Sequence, residues 1–145
     1  MKLDSLLQEF QGTDPEEALE LLMDLGDKLP PLSAAREAVG LVASCRVQEC
    51  QTPVYLWVDV VDGKLRLEAQ VPEKSPTVRG LVSLLVTGLE GWPVDQLNRI
   101  PDDLLPALGL DQALGMQRRH GMRGIVARIK REAVRAAATE ASSDQ

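Results

Sequence analysis

Apolar and polar residues alternate most clearly in the middle of the chain. Every second residue from 54 to 60 is aliphatic, and the alternation returns from 65 to 71 after an Asp62-Gly63 dipeptide. Two alternating runs joined by Asp-Gly predict a β-hairpin with one apolar face and one mostly polar face. Because a two-stranded hairpin is only marginally stable by itself, we expect helices to cover its apolar face and the segment 45–49 to add a third antiparallel strand.

Helical spacing of apolar residues precedes this hairpin. The first ten residues are typical of a short amphipathic helix. A longer helix is predicted after Asp14, which can cap it, and Pro15, which suits its first position, and Gly26 ends it. Residues 33–43 are predicted to add a further helical turn or two.

The chain after the hairpin is also predicted to be helical. The run from 75 to 89 is apolar on nearly all sides, which predicts a central helix packed on the hairpin. Gly80 and Gly88 in this run permit the close approach of a neighbouring element. The remaining predicted helices are two short ones at 93–99 and 101–108 and a final one from about 117 to 138.

This order of elements predicts an α+β fold, because the strands are adjacent in sequence and do not alternate with helices. The expected architecture is a short antiparallel three-stranded sheet covered on one face by helices. The length of 145 residues agrees with one domain. We expect that domain to span 1–138 and the segment 139–145 to form a frayed tail.

Composition and charge narrow the classes of function. The chain is 44% hydrophobic and 26% charged, and its formal net charge is −6. This balance argues against a general nucleic-acid binder, which needs positive charge to displace counterions from phosphates. No apolar run is long enough to span a membrane and no signal peptide is evident, so we expect a cytoplasmic protein with reduced thiols and no membrane association. The charge is uneven, since residues 1–40 hold nine acidic and three basic residues, whereas 118–135 hold one acidic and seven basic residues.

Cys45 and Cys50 are the two cysteines of the chain. Their spacing does not match the pairs of zinc or thioredoxin-like sites, and His120 is the single histidine, so no metal site is expected. Cys45 adjoins an apolar segment and fits core packing, whereas Cys50 has polar neighbours on both sides. Cys50 is therefore either a buried inert thiol or an accessible nucleophile, and Glu49 beside it would disfavour a thiolate.

Four segments of the chain match known motifs in the same order. The first three are L-G-D-K-L-P-P-L (25–32), V-Q-E-C-Q-T-P-V-Y-L (47–56) and T-V-R-G-L-V-S-L-L (77–85). The fourth is L-D-Q-A-L-G-M-Q-R-R-H-G-M-R-G-I-V-A-R-I-K (110–130). Together they resemble the SufE family, whose cysteine motif has the usual form V-x-G-C-Q-S-x-V-W. The resemblance extends from about residue 5 to residue 133.

The resemblance implies a function in sulfur transfer. In this family the cysteine that corresponds to Cys50 accepts a persulfide sulfur from a SufS-like cysteine desulfurase, stimulates that enzyme, and passes the sulfur to an iron–sulfur scaffold or assembly complex. Gln51 corresponds to the glutamine after that cysteine, and Arg118 to an arginine that contacts the thiol region or the partner. The chain would act as the partner of an enzyme and hold no cofactor, the pyridoxal phosphate being on the desulfurase. Its fold would be similar to that of the cluster scaffold proteins of the IscU kind.

This sequence departs from the family pattern beside the thiol. Glu49 replaces the glycine that usually precedes the cysteine, Thr52-Pro53 replaces S-x, and Tyr55 replaces the tryptophan. These changes alter the loop around Cys50 and keep open an alternative function as a noncatalytic adaptor or regulator of a cysteine desulfurase. A cluster scaffold needs three or four thiolate or imidazole ligands, and two cysteines with a distant histidine do not favour that function.

Overall fold

A computed structural model of the chain describes residues 2–40, 43–48, 50–110 and 112–143. These residues form an α+β fold in which a β-hairpin stands between two groups of helices. Short 3-10 turns at Ala43–Cys45 and Val94–Arg99 follow the first group and α4. The elements are α1 (Lys2–Gln8), α2 (Pro15–Asp27), α3 (Ala34–Val39), β1 (Tyr55–Val61), β2 (Lys64–Gln70), α4 (Pro76–Gly88), α5 (Leu105–Leu108) and α6 (Met116–Ser143).

The predicted hairpin is confirmed. β1 and β2 pair antiparallel with Val61 opposite Lys64, which leaves Asp62 and Gly63 as the connection. Both have positive φ, 54° and 74°, as the tight turn between twisted strands requires. The carboxylate of Glu140 on α6 accepts hydrogen bonds from the two backbone N–H groups, at 2.8 Å from Asp62 and 3.0 Å from Gly63. The far end of the last helix therefore fastens the turn.

The predicted third strand does not form in the described residues, whose sheet has two strands. The segment before β1 contributes an isolated antiparallel bridge between Arg46 and Tyr55, supported by a 2.9 Å hydrogen bond from the Val47 N–H to the Val54 carbonyl. Pairing stops there because the chain turns back, with the Cys50 N–H 3.4 Å from the Val47 carbonyl oxygen. Residues 45–49 were compatible with a strand, but the Val47 carbonyl accepts the Cys50 N–H within a turn instead of a hydrogen bond from a neighbouring strand.

Gly80 and Gly88 permit close contacts between the helices, as predicted. A Cβ atom at Gly80 would lie 2.2 Å from the carbonyl oxygen of Leu22, so α4 and α2 touch backbone to backbone. A Cβ atom at Gly88 would lie 2.9 Å from Cδ1 of Leu3 in α1. These contacts bring α1 and α2 onto α4, while α4 and α6 cover the hairpin face that carries Leu56, Val60, Leu65, Leu67 and Ala69.

The outer face of the hairpin is covered in part by α3, which has no buried residue of its own. The guanidinium of Arg36 pairs with Asp59 and, at 3.3 Å, with Glu68, and it lies 5.8 Å from the ring centroid of Trp57. The Ser33 N–H donates to the other Glu68 oxygen at 2.6 Å. Trp57 is 6% exposed, although it lies on the face predicted to be mostly polar. Polar contacts and one stacked cation therefore hold α3 in place.

The helices after α4 differ in their bounds from the prediction. Of the expected helix at 101–108, only Leu105–Leu108 is α-helical, and the Asp103 carboxylate accepts the Leu105 N–H at 3.1 Å just before it. The final helix, α6, continues to Ser143, beyond the predicted end at 138. The domain boundary at 138 and the frayed tail stay predictions. None of the helices in the described ranges is long and apolar enough to cross a membrane.

Candidate functional site

Cys50 lies in a loop that is closed at its base. The loop runs between Val47 and Val54, which are both fully buried and joined by the 2.9 Å hydrogen bond described above. Within it, the Val54 N–H donates to the Thr52 carbonyl at 2.8 Å. Two buried valines thus anchor the ends of the loop in the core, while Gln48, Gln51 and Pro53 between them are exposed. Glu49, the predicted neighbour of the thiol, lies outside the described residues.

The Cys50 side chain is half-buried and packs against the edge of the core. Its Sγ atom lies 3.9 Å from the carbonyl oxygen of Gly121 in the second turn of α6, to which the thiol donates. Cys50 is thus neither enclosed in the core nor fully exposed. Cys45, also half-buried, ends the 3-10 turn and is absent from the described lining of the cleft at Cys50.

A cleft of ≈ 710 Å³ opens beside Cys50. Three segments form its walls: the cysteine loop, the start of α4, and the first three turns of α6. Apolar side chains that are at most 2% exposed make its deepest part, namely Leu81, Met122 and Ile125. Met116 stands at its edge and is 78% exposed. The thiol is therefore at the wall of an open, partly apolar cleft.

The charged side chains that the structure describes around this cleft are basic. Lys74 precedes α4, and Arg118 projects from the first turn of α6. His120 also lines the cleft and is exposed, as expected for a side chain on the solvent side of the helix start. The described lining contains no carboxylate. Positive charge near a cysteine favours its anionic form, so this cleft suits a thiolate or a persulfide anion.

The structure brings three of the four predicted site residues to one place. Cys50, Gln51 and Arg118 all line the cleft, although Arg118 comes from an element far along the chain. Lys74 was not singled out from the sequence, where it is one of five lysines and lies in a polar turn. Only the packing of α4 beside the cysteine loop reveals that it faces the thiol side.

Arg128 is a second residue that the sequence did not single out, and it holds the segment beside the site. It lies on α6, and its Nη1 donates to the Arg46 carbonyl at 2.8 Å while its Nη2 donates to the Ser44 carbonyl. Its Nε is buried without a partner among the described residues. The guanidinium thereby fastens the segment just before the cysteine loop to the helix that forms the opposite wall. No local signal marked it, since its two acceptors lie 82 and 84 positions away in the chain.

Other basic residues of α6 bind the protein's own chain. Arg119 pairs with Asp103 at 3.0 Å, and Lys130 donates to the Ile100 carbonyl at 2.6 Å and to Asp102 at 2.8 Å. The hydrogen bond from Lys130, together with its charge, lowers the pKa of the Asp102 carboxyl. These pairs dock the segment between α4 and α6, so the basic run of the last helix is only partly available to a partner.

The described residues do not suggest a metal centre. Among them, no group of three or more His, Cys, Asp or Glu side chains is placed to hold a metal ion. The hydrogen-bond acceptor described for the Cys50 thiol is a carbonyl oxygen, which cannot take up its proton. The arrangement places a thiol in a cleft with two cations, which suits a sulfur nucleophile better than a metal ligand.

Comparisons with known proteins agree on one family. The SufE family profile, described as an Fe–S metabolism associated domain, matches residues 4–133. An uncharacterised SufE-like protein of Mycobacterium tuberculosis is 32% identical over 130 residues, 89% of each chain. The cysteine desulfuration protein SufE of Plasmodium vivax is 29% identical over 133 residues, 89% of this chain and 51% of that protein. The solution structure of a hypothetical protein from Thermus thermophilus superposes with a TM-score of 0.78 at 30% identity, over 94% of this chain and 96% of that one.

Proposed function

The chain belongs to the SufE family, and we propose that it accepts sulfur from a cysteine desulfurase on Cys50 and carries it to iron–sulfur cluster assembly. Membership of this family implies a sulfur-transfer partner of a cysteine desulfurase, and the relative from Plasmodium vivax is named as a cysteine desulfuration protein. In the proposed function, Cys50 becomes a persulfide and the desulfurase turns over faster in the presence of this protein.

The proposed transfer is a thiol–persulfide exchange. The Cys50 thiolate attacks the outer sulfur of a persulfide on the desulfurase, the sulfur–sulfur bond of that persulfide breaks, and the desulfurase cysteine leaves as a thiolate. The new sulfur–sulfur bond is on Cys50, and no external oxidant or reductant is consumed. Pyridoxal phosphate belongs to the partner in this scheme, because it is needed only to release sulfur from the substrate cysteine.

The observation that carries the proposal is the setting of the thiol. Cys50 stands half-buried at the wall of a cleft whose described charged residues are Lys74 and Arg118. Their positive charge favours the thiolate before transfer and the persulfide anion after it. Partial burial also limits the access of oxidants that would convert a carried persulfide or thiolate irreversibly. To reach the partner's active site, the loop between Val47 and Val54 must move while its buried ends hold.

The test is the intact mass of the protein after incubation with a cysteine desulfurase, pyridoxal phosphate and L-cysteine without reductant. We expect a gain of one sulfur atom that is lost in Cys50→Ser and kept in Cys45→Ser, since Cys45 is absent from the described lining of the cleft. A protein that gains no sulfur, in a reaction where another acceptor is loaded, would refute the acceptor role for that desulfurase.

The alternative is an adaptor that stimulates a desulfurase without carrying sulfur. The adaptor function is favoured by Glu49, which places a carboxylate where the family pattern has glycine. The two functions differ in one readout, desulfurase turnover with the Cys50→Ala variant. An adaptor would stimulate turnover equally well without the thiol, whereas an acceptor would lose the stimulation.

A further inference from the structure

The cleft beside Cys50 is larger than the cysteine requires. Its volume of ≈ 710 Å³ falls within the size of sites that hold small molecules, about 300–1,000 Å³. Its deepest walls, Leu81, Met122 and Ile125, are apolar and already buried in the core. Its entrance carries basic side chains. A site with apolar walls and a positive entrance suits a small molecule that has a short aliphatic body and a negative group.

The cations at this entrance are not ion-paired with any carboxylate that the structure describes. Lys74 and Arg118 belong to none of the described ion pairs, whereas the neighbouring Arg119 and the more distant Lys130 are paired with carboxylates. The protein as a whole has a formal net charge of −6, so this local excess of cations stands out against an acidic molecule. A cleft with charges of one sign and low-dielectric walls raises the local concentration of ions of the opposite sign.

We propose that the cleft binds a carboxylate-bearing low-molecular-weight thiol, which removes the sulfur from Cys50. This inference rests on the proposed function, in which Cys50 carries a persulfide. The carboxylate lies at Lys74 and Arg118, and the aliphatic body lies on the apolar walls. Such a molecule gives the carrier an outlet that needs no second protein.

The step is a second exchange at the same sulfur. The thiolate of the bound molecule attacks the outer sulfur of the Cys50 persulfide, the sulfur–sulfur bond on Cys50 breaks, and Cys50 leaves as a thiolate. A new sulfur–sulfur bond forms on the small molecule, which departs as a persulfide anion. Electrons balance without an added oxidant or reductant. The cations that favour the carboxylate also stabilise the leaving thiolate of Cys50.

The experiment measures discharge of a chemically loaded Cys50 persulfide. The full chain with Cys45→Ser is treated with an activated aromatic disulfide and then with sulfide, which displaces the aryl thiol and leaves one persulfide, checked by intact mass. Discharge is followed with 3-mercaptopropionate, 2-mercaptoethanol and cysteamine at equal thiolate concentration. Each rate is divided by the rate for the same loaded chain unfolded in urea, which removes differences in intrinsic nucleophilicity.

We expect the anionic thiol to be favoured about tenfold over the neutral one, with the cationic thiol least favoured, and the preference to fall with added salt. The double variant Lys74→Gln/Arg118→Gln should reduce the preference to about twofold or less. Arg131→Gln is the matched control, because it removes the same charge from α6 at a residue that is absent from the described lining. It should keep the full preference.

Equal normalised rates for the three thiols would overturn this inference, and so would a preference that survives the double variant. Because the persulfide is loaded chemically, either result leaves the acceptance of sulfur from a desulfurase untouched. Conversely, a chain that fails to load from a desulfurase can still show the anionic preference, so the two proposals fail separately.

Discussion

Loss of the Arg128 guanidinium should loosen the cysteine loop and make Cys50 more reactive. This side chain donates to the carbonyls of Ser44 and Arg46, at 2.8 Å in the second case, and so joins the segment just before the loop to α6. Hydrogen bonds from a charged donor contribute about 1.5–3 kcal/mol when buried. Since this guanidinium is partly exposed and serves both bonds, we take about 2 kcal/mol for the pair.

That free energy converts into a change in loop opening. About 1.4 kcal/mol corresponds to a factor of ten in an equilibrium constant, so the population of opened loop should rise roughly 30-fold in Arg128→Gln. Alkylation of Cys50 by iodoacetamide, resolved from that of Cys45 by peptide mass, should accelerate by up to this factor. Arg128→Lys should fall between the variant and the wild type, because an ammonium can reach one carbonyl but not hold both.

Arg131→Gln serves as control, since it removes a cation three residues further along α6 whose described pairing is a 3.9 Å contact with Glu132. It should change the alkylation rate of Cys50 by less than twofold. Urea unfolding of each variant separates local loosening from global loss of stability. If Arg128→Gln also alkylates within twofold of the wild type, the guanidinium does not restrain the loop and the reasoning is refuted.

Two further predictions concern the frame that holds the site. Gly80→Ala should lower the free energy of unfolding by about 1–3 kcal/mol, even after the better helix propensity of alanine, because its Cβ would lie 2.2 Å from the Leu22 carbonyl oxygen. Urea unfolding of the variant and the wild type measures this difference in the free energy of unfolding. Although burial alone would raise the pKa of Glu68, hydrogen bonds donated by Ser33 and Arg36 lower it. Its carboxylate therefore stabilises the fold above the ordinary pKa of about 4.3, and this contribution disappears as pH falls through the lowered value. Glu68→Gln should flatten the acid side of the stability–pH curve, measured by urea unfolding from neutral to acidic pH.

The Gly80→Ala and Glu68→Gln predictions each have a matched control variant. Gly115→Ala adds a methyl group where nothing lies within 4 Å, so it should leave the unfolding midpoint nearly unchanged. A Gly80→Ala protein as stable as this control would contradict the backbone contact between α2 and α4. Glu37→Gln alters an exposed carboxylate on α3 and should keep the acid dependence of the wild type. An unchanged curve for Glu68→Gln would show that its hydrogen bonds with α3 contribute nothing in solution.

Local sequence was sufficient where the structure depends on neighbours along the chain. Asp62-Gly63 supplied the two positive φ values of the hairpin turn, and the Asp14 side chain accepts the Glu17 N–H at 2.9 Å as the predicted cap of α2. Local sequence did not predict the absence of the third strand, since strand pairing depends on where the chain turns as well as on the alternation of apolar and polar residues. The contact between Arg36 and the ring of Trp57 could not be predicted either, because Arg36 comes from a separate helix.

The candidate site divides in the same way. Cys50 and Gln51 are adjacent and were found from one motif, and Arg118 was found from the resemblance of a second, distant motif. Lys74, Gly121 and Arg128 could not be found, because nothing local marks the first two as neighbours of the thiol or Arg128 as a partner of the segment before the loop. Gly121 is 71 positions from Cys50 in the chain, and Arg128 is 82 positions from the carbonyl of Arg46.

The sequence by itself determined the α+β class, the hairpin, the course of most helices and the identity of the candidate nucleophile, because hydrophobic periodicity, turn residues and short motifs act over a few residues. Only the tertiary structure decided that Cys50 is half-buried, that it faces a cleft whose described charges are positive, and that α6 holds its loop. These properties arise from segments that meet through core packing, and the packing of α4 and α6 on the hairpin places their side chains around one sulfur atom.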